Sequence, residues 1–180
     1  MHASSRSTRA LVDNTRNLSD AELDAISKNG GVVHVTAFNP YLRPLAVDFD
    51  AKAAVLRQKY GLPPTTKHGP IGAEEGINTL PPEKLAAFMS EFRELMPKAA
   101  LSDYVDHIDY LVKRIGVDRV GIGTDFNHGG GIVGFNDESE APNVTRELVR
   151  RGYSEEQIRR IWGGNFLRVF RKVSTVAEQK

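Results

Sequence analysis

The chain has 180 residues, 40% hydrophobic and 26% charged, the proportions of a globular domain with a core of its own. Its 24 basic and 23 acidic residues are interspersed and leave a formal net charge of +1, which excludes nucleic acid as a partner and any anionic membrane held by charge. There is no cysteine, so disulfides, thiolate metal sites and a cysteine nucleophile are excluded.

Met1 to Ala10 are polar and basic, with no apolar segment of a signal peptide, and no stretch approaches the ~20 apolar residues of a membrane span. A soluble, cytoplasmic product is expected. Helix signals arrive within a few residues, so the chain reads as beginning inside a domain. Ser19 followed by Glu22 is a capping box, which opens an amphipathic helix that Gly30-Gly31 ends. Val32 to Phe38 is then a β-branched run between glycines and Asn39-Pro40, the pattern of a buried strand.

Ala53, Ala54, Leu56 and Tyr60 recur at helical spacing, after which the Gly/Pro/Thr-rich stretch 61–80 breaks all periodicity and reads as a surface insertion. Pro81-Pro82-Glu83 starts a second helix with Leu85, Phe88, Met89, Phe92, Leu95 and Met96 on one face. Ser102 is the expected N-cap of a third helix, which runs to Ile115 and is stopped by Gly116. A glycine-punctuated strand, Val120 to Phe126, delivers Asp125 into a Gly129-Gly130-Gly131 loop. Covering helices follow from Asn143 to Arg151 and from Ser154 onward, the last interrupted at Gly163-Gly164. Residues 173–180 read as a flexible tail. Strand and helix alternate throughout, which predicts an α/β fold.

Asp125 is the foremost candidate for chemistry, because a carboxylate leaving a strand's C-terminal end can meet substrate, proton or metal; the alternative is a turn or cap aspartate. His2, His34, His68, His107 and His128 form no close pair, so no metal site is legible locally, and His34 and His107 read as structural. His128 stands beside Asp125, in a loop whose plainer reading is solvation. Arg16 and Tyr41 flank helix and strand ends, where an arginine fork can grip a carboxylate; surface salt-bridging is the plainer reading of Arg16.

Five segments in order, Arg16-Asn17-Leu18-Ser19-Asp20, Asn29-Gly30-Gly31-Val32-Val33, Val105-Asp106-His107-Ile108-Asp109, Val120 to Phe126 and Gly163 to Val169, resemble the renal (membrane) dipeptidase family. That family consists of zinc dipeptidases on a (β/α)8 TIM-like barrel. The resemblance implies that residues 1–180 form a single partial barrel domain, the C-terminal portion from about the sixth strand's end, with Val32–Phe38 and Val120–Phe126 as the seventh and eighth strands. It implies that Arg16 binds the dipeptide carboxylate, that Tyr41 lines the substrate pocket and that Asp125 is catalytic.

The family's two-zinc site draws on a His-x-Asp, a bridging glutamate and a fifth-strand histidine that have no counterpart here. A further metal ligand is a histidine after the sixth strand. His2 is the candidate, but it fits only with a short insertion, since a gap-free alignment back from Arg16 puts Ser5 there. Asn127 stands where many members carry an aspartate. The resemblance therefore implies a metal-dependent dipeptidase lineage, with a dipeptide as substrate and an isolated chain that is inactive. A complementary N-terminal half-barrel or a homo-oligomer would be the partner. The alternative is a non-catalytic α/β module that binds a partner through its exposed barrel edge.

Overall fold

Three short parallel strands organise the larger part of the chain in the computed structural model, which describes residues 3–178. They are β1 (Ala3–Ser5), β2 (Val32–Thr36) and β3 (Val120–Gly123), in the spatial order β1-β2-β3. Ser5 pairs with His34, and His34 with Gly121, so one register runs across the sheet. β2 and β3 are each shorter at the C-terminal end than the expected Val32–Phe38 and Val120–Phe126. Phe38 N–H turns back to the Thr36 carbonyl at 2.8 Å ahead of Pro40, and β3 stops where Asp125 enters the left-handed region at φ 60.

The chain divides into two compact units, Met1–Pro44 with Lys98–Lys180, and Leu45–Pro97. In the first, α1 (Asp20–Lys28) begins at the expected capping box: Ser19 Oγ accepts Glu22 N–H at 3.4 Å and Glu22 Oε2 accepts Ser19 N–H at 2.8 Å. A short α2 (Asn39–Leu42) follows β2. The long helix, Leu101–Ile115, is capped at Ala100 instead of Ser102, because Asp103 Oδ2 accepts the Ala100 N–H at 2.7 Å and secures the turn two residues earlier.

Leu23 and Ile26 of α1 and Tyr104, Ile108 and Leu111 of that long helix bury against Val33, Val35 and Val120. Each such side chain contributes roughly 1.5–3 kcal/mol relative to exposure. Tyr104 adds polar order to this core. Its hydroxyl lies 3.0 Å from the Val35 carbonyl and 3.2 Å from both the N–H and the carbonyl of Gly123.

The second unit holds α3 (Phe49–Lys59), α4 (Gly69–Ala73) and α5 (Pro82–Leu95); the long helix is accordingly α6. Phe49, Leu56, Leu62, Phe88 and Phe92 form a separate core. The aperiodic stretch 61–80 is organised by an arginine in place of an apolar stripe. Buried Arg57 donates to the carbonyls of Pro63 at 3.2 Å, Gly72 at 3.1 Å, Ala73 at 3.0 Å and Glu75 at 2.6 Å. A side chain at Gly72 would meet the Lys67 carbonyl at 2.1 Å, so the loop closes too tightly there for any other residue.

Back in the first unit, α7 (Ala141–Arg150) and α8 (Glu155–Arg159) are followed by a π-helical turn, Arg160–Gly164, which leads directly into α9 (Asn165–Glu178). The paired glycines thus widen the helix without breaking it, and α9 extends into the stretch expected to be a tail. Asn165 Nδ2 donates to the carbonyls of Val117 and Val120 at 2.7 and 2.8 Å, and Arg168 donates to those of Gly30 and Asp118 at 3.0 and 2.7 Å. The last helix is thereby pinned to the N-terminal ends of β2 and β3. No helix among the described residues is long and apolar enough to cross a membrane.

Candidate functional site at the C-terminal edge of the sheet

Because all three strands are parallel, the segments that follow them leave from one edge of the sheet. Arg16 lies in the segment after β1, Tyr41 in α2 after β2, and Asp125 two residues after β3. The edge that carries all three is the one at which chemistry concentrates in parallel α/β folds.

The segment after β1 is closed on itself. Leu18 N–H donates to the Ser7 carbonyl at 2.9 Å and Arg9 N–H to the Leu18 carbonyl at 2.8 Å. Buried Asn17 holds its centre: Nδ2 donates to the carbonyls of Val12 at 3.0 Å and Tyr41 at 2.9 Å, with a longer approach to Thr8 at 3.4 Å. Asn14 Nδ2 also reaches the Pro40 carbonyl at 3.1 Å. Arg16 is exposed, with its backbone fixed by Arg6 Nη1 at 2.9 Å and by Asn14 Oδ1 at 2.9 Å. No described residue pairs with its guanidinium.

Tyr41 is half-buried, and its ring packs edge-on against Phe38 at 4.9 Å between centroids. Asn39 links this segment to the glycine loop after β3, donating to the Gly131 carbonyl at 3.0 Å while its Oδ1 accepts the Ala99 N–H at 2.7 Å. Gly131 N–H donates to the Ala37 carbonyl at 2.7 Å.

Asp125 sits at φ 60, the one non-glycine residue with positive φ among those described. Such a conformation costs on the order of 1 kcal/mol and persists when neighbours impose it. Here the Asp125 carbonyl accepts both the His128 and the Gly130 N–H at 2.9 Å. A Cβ at Gly130 would lie 2.3 Å from the Thr124 carbonyl oxygen, so only glycine permits the turn. The Asp125 carboxylate is exposed, and His128 Nδ1 approaches it at 3.9 Å, an ion pair only when the imidazole is protonated.

His107, read as structural, is buried. Its Nδ1 accepts the Thr8 N–H at 3.2 Å, which braces the segment after β1. Burial pulls its pKa down to about 4, against the Leu42 backbone and the charges of Asp106 and Asp103. Asp106 and Asp109 of the same motif hold Arg151, each at 2.6 Å from Nη1. His34 is largely buried, which lowers its pKa too, and lies edge-on to Phe166 at 5.7 Å. His2 lies outside the described residues.

Among the described residues no group of three or more His, Cys, Asp or Glu side chains could hold a metal ion. The donors present at the edge, Asp125 and His128, do not by themselves fit a zinc pair. Asn17 and Asn39, which tie the three segments together, were not singled out by sequence reasoning. Asn17 lies within a quoted motif, and Asn39 precedes a proline; neither position reveals a buried amide with carbonyl partners far along the chain.

The sequence model described as membrane dipeptidase (Peptidase family M19) matches residues 2–180. Among curated proteins, Dipeptidase ataJ of Aspergillus terreus is 48% identical over 77 residues, which are 42% of this chain and 19% of that protein. Dipeptidase 3 of Rattus norvegicus is 38% identical over 82 residues, 45% of this chain and 17% of that protein. Among solved structures, the probable dipeptidase PvdM from Pseudomonas aeruginosa is 44% identical with a TM-score of 0.70, over 92% of this chain and 42% of that chain. A Rhodobacter sphaeroides metallo peptidase liganded with a phosphinate mimic of L-Ala-D-Ala shares the fold, at 20% identity and a TM-score of 0.58, over 91% of this chain and 33% of that chain. The chain spans less than half the length of these relatives.

Proposed function

Since the chain belongs to the membrane dipeptidase family, we propose that it is the substrate-holding, C-terminal portion of a zinc-dependent dipeptidase barrel. The observation that carries this reading is that Arg16, Tyr41 and Asp125 follow three adjacent parallel strands at one edge, their segments cross-linked by Asn17 and Asn39.

Arg16 offers an exposed guanidinium with no competing anion among the described residues, suited to gripping the free carboxylate of a short peptide in two parallel hydrogen bonds. Tyr41 presents an aromatic ring on the neighbouring segment, which would restrict how the peptide lies. Asp125, held in place by its imposed backbone, receives the peptide's ammonium group or a proton during amide cleavage. In a complete family enzyme, bound zinc would activate the hydrolytic water. The described donor set does not hold it, so the chain by itself binds without cleaving. This favours, as a second reading, a module that binds a partner and performs no hydrolysis alone.

The test is zinc content and hydrolysis of glycine-containing dipeptides, measured on the purified chain and again after adding the segment of the Pseudomonas aeruginosa relative that this chain does not match. The expected result is neither zinc nor turnover alone, and both on complementation. Turnover by the chain alone would show that it contains the full ligand set. Neither property in either sample would leave the binding module as the surviving reading.

A further inference from the structure

Two guanidinium groups meet where α9 reaches the N-terminal ends of β2 and β3, at the opposite edge of the sheet from Asp125. Arg168 of α9 donates through Nη1 to the Gly30 carbonyl at 3.0 Å and through Nη2 to the Asp118 carbonyl at 2.7 Å. Arg119, in the turn that leads into β3, directs Nη1 to the same Gly30 carbonyl at a long 3.5 Å. One backbone oxygen is thus shared by two cations. Gly30 lies just past the end of α1 and offers them only the fractional negative charge of a helix C-terminus.

Like charges brought together in this way call for an anion, and no carboxylate among the described residues pairs with either arginine. Asp118 acts on Arg168 through its charge, but its carboxylate is held by Arg160 at 2.6 Å. Burial foremost, and then the nearby Arg119, pulls the Arg168 pKa down, so the charge on this side chain is poorly offset. Arg168 Nε is buried without a hydrogen-bond partner. The plainer role of the pair, pinning α9, is met by the two Nη groups of Arg168. It leaves Arg168 Nε and nearly all of the Arg119 fork unused. Arg171 and Lys172, exposed three and four residues beyond Arg168 on α9, add positive charge to the same side of the helix.

A carboxylate holds two oxygens in one plane and is satisfied by a single guanidinium, whereas phosphate presents oxygens in several directions and accepts from forks on separate elements. We propose that Arg119 and Arg168 form a binding site for a phosphate-class oxyanion, inorganic phosphate or a small phosphate monoester, where α9 meets the N-terminal ends of β2 and β3. The anion accepts from Arg168 Nε and the Arg119 fork, cancels their repulsion and ties α9 to the sheet. The site shares no residue with the edge that carries Arg16, Tyr41 and Asp125, so it stands independently of the dipeptidase reading.

The experiment titrates inorganic phosphate, glycerol 3-phosphate and acetate separately into the purified chain at about 0.15 M salt, where exposed charges are screened beyond ~8 Å. Calorimetry gives the affinity, and NMR follows the arginine Nε–H resonances, with Arg168→Lys identifying that of Arg168 by its loss. Phosphate is expected to saturate with a Kd of about 1 mM or tighter, to move the Arg168 resonance and to raise the melting temperature. Tighter binding of glycerol 3-phosphate would support the site with a monoester as its ligand, and equal or weaker binding would support it with the inorganic ion. Arg119→Gln removes only the long contact and should weaken phosphate binding at least about tenfold with the fold unchanged. Arg159→Gln makes the same change of net charge at an exposed position on α8 and should leave binding unchanged. Acetate bound as tightly as phosphate, equal losses in the two glutamine variants, or an unmoved Arg168 resonance would each overturn the site. Uptake that never saturates would mean an adventitious ion only, and would overturn it as well.

Discussion

Asn17 Nδ2 donates to the Tyr41 carbonyl at 2.9 Å, and this contact joins the segment that carries Arg16 to the segment that carries Tyr41. The same amide satisfies the Val12 carbonyl at 3.0 Å from a buried position. Asn17→Ala strands two carbonyls and should cost about 2 kcal/mol in urea unfolding. On the proposed role of Arg16, it should also weaken capture of short peptides, because the guanidinium loses its fixed base. Arg16→Met should weaken capture with no loss of stability, which separates gripping from scaffolding.

The left-handed backbone of Asp125 makes a second, independent prediction. Asp125→Gly relieves the strain while Asp125→Ala retains it, so the glycine variant should be more stable than the alanine variant by about 1 kcal/mol. Gly130→Ala should be worse than either, since its Cβ would sit 2.3 Å from the Thr124 carbonyl oxygen. Thermal melts of the three variants would reverse this order if the turn were loose.

Periodic and capping signals were legible because they are local. Ser19 and Glu22 lie within one helical turn, and so does the Ser154–Gln157 box that starts α8. The cap of α6 was misread as Ser102 because Asp103 serves Ala100 from inside the helix, a competition between neighbouring acceptors that residue preference does not resolve. Residues 61–80 showed no periodicity and read as a surface insertion because Arg57, not an apolar stripe, gathers them. Of the candidate site, Asp125 was singled out by a strand ending in a glycine loop, and Arg16 and Tyr41 by the family resemblance alone. Asn17 and Asn39 act across separations of 24 and 92 residues, which no local pattern encodes.

Glu147 accepts from Arg150 at 2.6 Å and from Arg151 Nε at 2.8 Å, and these guanidinium groups, Arg150 foremost, hold its carboxyl down at about 2, against an ordinary 4.5. Arg150 is 70% exposed and screened by solvent, whereas Arg151 is 15% exposed and also binds Asp106 and Asp109, so Arg151 is the more durable partner. A depressed carboxyl stabilises fully above 4.5 and loses that contribution as pH falls towards 2. Urea midpoints should therefore drop across this window, and Glu147→Gln should flatten the drop. Arg151→Met should cost about 2 kcal/mol at neutral pH, by leaving three carboxylates without their shared partner.

His107 makes the opposite demand on pH. Its buried imidazole accepts the Thr8 N–H through Nδ1, a bond that a protonated ring cannot make. With the folded pKa near 4 and the ordinary value at 6.5, the neutral ring's contribution is complete above 6.5 and declines as pH falls towards 4. NMR titration should show the His107 imidazole staying neutral at pH 5.5. His107→Phe should remove this part of the acid sensitivity while lowering stability at every pH, since the Thr8 N–H is left without a partner.

His34 and Gly121 face each other across the β2–β3 register, and the imidazole lies so close that a Cβ at 121 would come 2.3 Å from His34 Cδ2. Gly121→Ala should destabilise by about 1–3 kcal/mol, the usual cost of overpacking a filled interior. His34→Ala removes the ring and its edge contact with Phe166, and should be destabilising on its own. If the two positions share one space, the double variant will be more stable than the sum of the single losses predicts, by about 1 kcal/mol or more in a double-mutant cycle. Strict additivity would mean that β3 tolerates a side chain at 121 by moving its backbone, and that the glycine serves the strand and not the histidine.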